Sequence, residues 1–219
     1  MKKISVLGTG MVGKAIATKL IQLGYQVMMG SRTNNNEKAL TWVTENGSSA
    51  RTGTFADAAA FGELVFNCTK GEITLEVFKL AGIENFKDKT IIDISNALDF
   101  SKGMPPTLNP DYCNTNSLGE TIQQLLPEAH VVKSLNIVTA DVMVNAGKSG
   151  GDITMFVSGN NAEAKAQTMT ILNQFGWTDI IDLGDISSAR GTEMMLPVWL
   201  RLYGAFKSPY FGFKIVRPS

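Results

Sequence analysis

Six residues near the start of the chain, Gly8-Thr9-Gly10-Met11-Val12-Gly13, have the types and spacing to hold a phosphorylated dinucleotide. The first glycine permits a tight turn, the second lets a pyrophosphate approach the backbone, and the third lets a helix pack closely on a strand. A glycine turn serving only packing is the alternative. Context favours the nucleotide. The apolar residues Ile4, Val6 and Leu7 precede the loop, and Val12, Ile16, Leu20 and Leu23 follow it at helical spacing. A helix beginning there would aim unpaired N–H groups and a partial positive charge at the phosphates.

The next informative residues stand where a second strand should end. A protein specific for the non-phosphorylated dinucleotide would place a carboxylate there for the ribose 2′-hydroxyl. This chain has Gly30-Ser31-Arg32. A hydroxyl and a guanidinium suit a 2′-phosphate through charge-assisted hydrogen bonds, so NADP(H) is expected over NAD(H). The other reading of Arg32 is a solvated surface residue in a protein indifferent between the two. Lys38, one turn into the following helix, adds charge to the phosphate site or is simply solvated.

Further along, Cys68-Thr69-Lys70 and Ser95-Asn96 stand at the ends of the expected fourth and fifth strands. Ligands of open α/β sheets bind beyond the carboxyl ends of strands, so these groups should line the ribose and nicotinamide. Cys68 could be a nucleophile, but the lone histidine, His130, precedes a different strand and offers it no activating partner. A small strand-end residue is the favoured role. With one histidine and two cysteines of unpaired spacing, no metal site is assigned and no disulfide framework is expected. There is no Ser-His-Asp set and no Tyr-x-x-x-Lys arrangement near mid-chain. Hydride transfer between two rings needs chiefly placement and water exclusion, which such a site can supply.

The elements that must position these residues alternate. Strands are expected over 4–7, 26–30, near 50, 64–68, 90–94 and 131–135, with helices over 11–23, 37–45, 55–60, 73–80 and 118–126. After a Pro- and Asn-rich loop at 104–116 and the glycine-rich segment 147–151 come a strand at 153–157, a helix at 162–175, a strand at 180–183 and a helical stretch at 187–203. Such alternation specifies a doubly wound, Rossmann-type parallel sheet with a short C-terminal α/β and helical extension. Residues 1–150 are read as the nucleotide-binding domain and 151–219 as an extension completing an acceptor pocket, or the two as one continuous domain. The chain has 219 residues, 44% of them hydrophobic, which is ample for a core, and its 20 basic and 20 acidic residues balance. Bulk attraction to nucleic acid or an anionic membrane is therefore not expected. The apolar stretch 194–200 falls far short of the roughly 20 residues that cross a bilayer, and the start reads as a mature cytoplasmic N-terminus. Trp199, Tyr203, Phe206, Tyr210, Phe211 and Phe213 crowd the C-terminal end and are expected to close the core or a homodimer interface, with stacking on a flavin as the other possibility.

The chain resembles the F420H2:NADP oxidoreductases, also called NADPH-dependent F420 reductases, and the related NADPH-binding domain of STEAP-type metalloreductases. The likeness covers nearly the whole chain. It rests on the glycine loop, Gly30-Ser31-Arg32, Asp93-Ile94-Ser95-Asn96, Val132-Lys133-Ser134-Leu135-Asn136, Met155-Phe156-Val157-Ser158-Gly159, and Glu193 through Leu202 with Pro197, Trp199 and Arg201. The resemblance implies NADP(H) bound along Thr9 to Val12, its 2′-phosphate near Ser31 and Arg32, and Asn136 near the nicotinamide. It also implies a flavin or deazaflavin as the second redox partner. The chain departs from its relatives at Lys70-Gly71, at Ala97 and in the loop 100–116, all facing the expected acceptor pocket. Reduction of a small carbonyl or imine, and a non-enzymatic NADPH-sensing role, are the rival expectations.

Overall fold

In the computed structural model, which describes residues 2–218, the apolar runs become the middle of one eight-stranded sheet. The strands are β1 (Lys3–Leu7), β2 (Gln26–Ser31), β3 (Ala50–Thr54), β4 (Leu64–Asn67), β5 (Thr90–Asp93), β8 (His130–Lys133), β9 (Thr154–Gly159) and β10 (Asp179–Asp182). Their order is β10-β9-β8-β5-β4-β1-β2-β3. A separate two-residue hairpin joins β6 (Leu98–Asp99) to β7 (Thr107–Leu108).

Central strands of a sheet covered on both faces can be apolar throughout, and here successive residues feed two cores. Val6, Phe66, Ile92 and Val132 face one side. There they meet α1 (Met11–Gln22), α2 (Glu37–Asn46), α6 (Ala140–Met143) and α7 (Ala162–Gln174) through Ile16, Trp42, Val142 and Leu172. Leu7, Val65, Ile91 and Val131 face the other, against α3 (Phe55–Phe61), α4 (Thr74–Ala81) and α5 (Leu118–Leu125). The chain steps outward from β1 to β2 and β3, then returns to lay β4 on the other side of β1. This reversal of direction opens a crevice at the carboxyl ends of β1 and β4, the usual ligand position in such sheets.

The sheet is parallel from β3 across to β8, and β10 is parallel to β9, but β8 and β9 run antiparallel, pairing Val132 with Gly159 and Lys133 with Ser158. A parallel return needs a crossover that travels back along the sheet. Between β8 and β9 the chain instead forms the single turn α6, whose Val142 and Met143 join the core beside Ile16, and Trp177 fastens it by donating to the Met143 carbonyl at 2.9 Å. The chain therefore re-enters the sheet from the carboxyl edge.

The stretch 187–203 is two helices, α8 (Ala189–Met194) and α9 (Leu196–Phe206). Pro197 lies in the first turn of α9, where its missing N–H costs nothing.

Candidate functional site

The three loop glycines meet three different surroundings. Gly8 has φ +115°, and a Cβ there would lie 2.8 Å from the Cys68 carbonyl oxygen; at Gly13 it would lie 2.1 Å from the Gly8 carbonyl oxygen. These two are close approaches of backbone to backbone. Around a Cβ at Gly10 there is nothing within 4 Å. That space is open to an added ligand. The helix that starts here is also open at its end. The N-caps of α2, α3, α5 and α7 are Asn36, Thr54, Ser117 and Asn161, each accepting a backbone N–H; α1, with Gly10 as its N-cap, has no side-chain cap, as is also true of α4, α6, α8 and α9. Its first N–H groups and positive dipole end are left for an external anion.

At the end of β2, Ser31 is buried and its hydroxyl donates to the Thr33 carbonyl at 2.5 Å. That proton is engaged, so positive charge for a phosphate falls to Arg32, which is exposed just beyond the strand. Lys38 lies in the first turn of α2 and lines a recess together with Thr9, Gly10, Met11, Lys14 and the acidic Glu37. The fold thus brings Lys38 to the glycine loop.

The other expected residues converge on one cavity of about 450 Å3. Gly10, Met11 and Val12 border it from the loop; Cys68, Thr69 and Lys70 follow β4, Ser95 and Asn96 follow β5, and Asn136 follows β8. The facing wall is apolar, with Leu196, Trp199 and Leu200 from α9 and Phe100 from the hairpin. Asn96 and Asn136 lock each other: Asn96 Nδ2 donates to the Asn136 carbonyl at 2.9 Å, and Asn136 Nδ2 donates to Asn96 Oδ1 at 3.0 Å and to the Thr192 carbonyl at 3.1 Å. Gly71 makes the rim possible, since a Cβ there would meet the Asn96 carbonyl oxygen at 2.2 Å.

Burial pushes the Cys68 thiol well above its ordinary range, and the negative charge of Asp93 pushes it further the same way. A thiol held protonated is a poor nucleophile, which favours the structural role expected of it. His130 opens β8 opposite Thr90, at the far end of the strands from the cavity. Among the described residues no three of His, Cys, Asp and Glu gather as a metal set.

Behind the cavity lies a buried ion cluster. Lys133 Nζ pairs with Asp93 at 2.5 Å and with Glu193 at 2.8 Å, and donates to the Ser95 carbonyl at 2.8 Å. Burial alone would lower the Lys133 pKa, but the two carboxylates outweigh it and raise it, so the ammonium persists. Asp93 Oδ1 accepts from Asn67 Nδ2 and from the Ser95 hydroxyl, both at 2.7 Å; Glu193 accepts from the N–H groups of Leu118 and Gly119 at the start of α5. Three strand ends and two helices, α5 and α8, are thereby tied together. Asp93, Lys133 and Glu193 each lie in a motif shared with the resembled family, but residue type alone does not show that they meet. The available signal was a charge at the end of each apolar strand, Val131-Val132-Lys133 and Ile91-Ile92-Asp93, because a charge buried there requires partners.

Comparison with known proteins follows the same geometry. Residues 3–97 match the family model described as NADP oxidoreductase, coenzyme F420-dependent. A crystal structure from Arthrobacter sp. FB24, provisionally assigned as an F420-dependent NADP reductase, is 49% identical, with a TM-score of 0.93 over 99% of this chain and 100% of that one. The chain belongs to the F420-dependent NADP oxidoreductase family. The F420-dependent NADP reductase of Methanocaldococcus jannaschii is 29% identical over 97% of both chains. Metalloreductase STEAP3 of Rattus norvegicus is 27% identical over 90% of this chain, which spans 38% of that protein's length. No helix among the described residues is long and apolar enough to cross a membrane.

The family is one of NADP oxidoreductases, and the chain's residues suit that cofactor. The open space at Gly10 and the uncapped start of α1 are what a pyrophosphate requires.

Proposed function

We propose that the chain exchanges hydride between NADP(H) and a flavin-like or deazaflavin acceptor, with both rings in the cavity between the strand ends and α9. What supports this reading is the mixed lining of that cavity. Its mostly apolar lining, with Phe100, Leu196, Trp199 and Leu200, also carries the polar groups of Thr69, Ser95, Asn96 and Asn136. A planar ring with a heteroatom edge needs that combination, and about 450 Å3 falls within the range of ligand pockets.

In this reading the loop from Gly8 to Gly13 and the start of α1 hold the pyrophosphate, and Ser31, Arg32 and Lys38 surround the 2′-phosphate. Cys68, Thr69, Lys70, Ser95, Asn96 and Asn136 border the ribose and nicotinamide. When bound, the nicotinamide supplies or takes up the hydride. The chain's share is placement and dryness: the Asn96–Asn136 lock fixes one edge of the cavity, and the apolar wall keeps water from the transferring centre. Residues 1–150 carry the nucleotide in this scheme, and 151–219 complete the acceptor side through α9. We further propose that a second copy covers the exposed aromatic part of α9.

Rapid mixing tests the reading. NADPH oxidation is expected with a deazaflavin or with FMN or FAD, and little with small carbonyls or imines. Oxidation by the carbonyls or imines alone, or by none of these compounds, overturns it.

A further inference from the structure

Three buried charges sit directly behind the cavity wall, and they do not cancel. Lys133 brings one positive charge, Asp93 and Glu193 two negative ones, and none of the three side chains is more than 1% exposed. The N–H groups of Leu118 and Gly119 offset part of the excess, since the start of α5 carries roughly half a positive charge. A net negative remainder is left.

A cluster of this kind is a weak means of holding a fold, because apolar side chains of similar volume often do as well or better. Its position suggests a different use. Ser95 borders the cavity and is gripped from behind by two members: its N–H and hydroxyl donate to Asp93, and its carbonyl accepts from Lys133. The field also reaches a second cavity residue, since the charge on Asp93 acts on the Cys68 thiol. Within the cavity lining Lys70 and Glu72 carry opposite charges, and in the reading above the pyrophosphate takes up the positive start of α1, which leaves the buried cluster as the net charge in contact with Ser95.

We propose that Asp93, Lys133 and Glu193 act as an electrostatic positioning cluster that favours a cationic ring, raising the affinity for NADP+ relative to NADPH. The two forms differ by one formal charge, located on the nicotinamide. The inference rests on the reading above that the nicotinamide lies beside Ser95 and Asn136.

The test is calorimetric titration of the whole chain with NADP+, NADPH and adenosine 2′,5′-bisphosphate, which lacks the nicotinamide. Wild type should bind NADP+ at least as tightly as NADPH. Glu193→Gln and Asp93→Asn should each weaken NADP+ relative to NADPH, on the order of tenfold, and leave the bisphosphate unchanged. A purely structural role would weaken both dinucleotides alike. An unmoved ratio in either folded variant overturns the proposal. Should neither variant fold, wild type decides, and tighter binding of NADPH than of NADP+ overturns it. Failure of the wild type to bind any of the three ligands overturns the site assignment, and the proposal with it. Binding of the bisphosphate with an unmoved ratio overturns the proposal alone.

Discussion

Alanine at position 10 and alanine at position 13 should have opposite effects, although each adds one methyl group to the same loop. At Gly13 the methyl would overlap the Gly8 carbonyl, backbone that cannot give way cheaply, so Gly13→Ala should cost about 2–3 kcal/mol. For a chain of this length that lowers Tm by roughly 5–10 °C in a thermal melt. At Gly10 the backbone has φ −77° and the space is open, so Gly10→Ala should melt within a few degrees of wild type. It should nonetheless lose about tenfold or more in NADPH affinity, because the methyl stands where the pyrophosphate must come. A folded Gly10→Ala protein with unchanged NADPH affinity would remove the loop from the site. Arg32→Gln makes a separate test of the phosphate. With the Ser31 proton already engaged, loss of the guanidinium should cut the preference for NADPH over NADH by about tenfold and leave NADH affinity alone. Paired titrations with the two nucleotides read this directly.

At the scale of elements, the C-terminal tail after α9 is held to the sheet edge by Asp179, which accepts from Lys214, Thr154 and Arg217 at 2.6 to 2.8 Å. The Lys214 hydrogen bond leads, followed by that from Thr154, in holding the Asp179 carboxyl down to about 2. A carboxylate depressed in the folded state stabilises at pH above its unfolded value, and that contribution is lost as pH falls through the folded one. The tail should therefore loosen as pH drops from about 4 towards 2. Phe211 of the tail stacks on Trp199 at 5.2 Å, and the chain's other two indoles, Trp42 and Trp177, are fully buried. Tryptophan emission should thus shift to longer wavelength over that range before far-UV circular dichroism changes, and Asp179→Asn should already be shifted at neutral pH. Emission that follows circular dichroism throughout would deny the tail this role. Elements of this kind also mark how far the sequence could be read. The helix α1 and the strands β4 and β5 are legible because their apolar spacing is local, and glycines punctuate the turns around α1 and β4. The hairpin of β6 and β7 has two-residue strands, α6 has a single turn, and the antiparallel entry of β9 depends on where α6 packs, so none leaves a periodic trace. The site divides in the same way. The glycine loop and strand-end residues follow from local pattern, whereas Asp93 and Lys133 meet across 40 residues and Glu193 caps a helix 74 and 75 residues away.

For the molecule as a whole, α9 decides both the cavity and the surface. Of its eleven residues, nearly all apolar, only Leu196 is buried, and Val198, Tyr203 and Phe206 are 53%, 46% and 59% exposed. Trp199 stacks on Tyr203 at 5.7 Å, and Phe206 meets Phe211 edge-on at 5.3 Å, so the exposed residues adjoin the cavity wall. A contiguous apolar patch on a rigid helix marks an association surface. If a second copy covers it, sedimentation velocity should show a concentration-dependent dimer, and Val198→Glu or Phe206→Glu should give a monomer, since a charge inside an apolar interface lacks a partner. The same variants should reach the chemistry from one side only. If Leu196, Trp199 and Leu200 border the acceptor and the glycine loop holds the dinucleotide, as proposed, the monomeric variants should raise KM for the acceptor several-fold and keep the NADPH Kd of wild type. A wild type monomeric at every concentration would remove the second copy. A monomeric variant with an unchanged acceptor KM would show that the tail holds α9 in place without it.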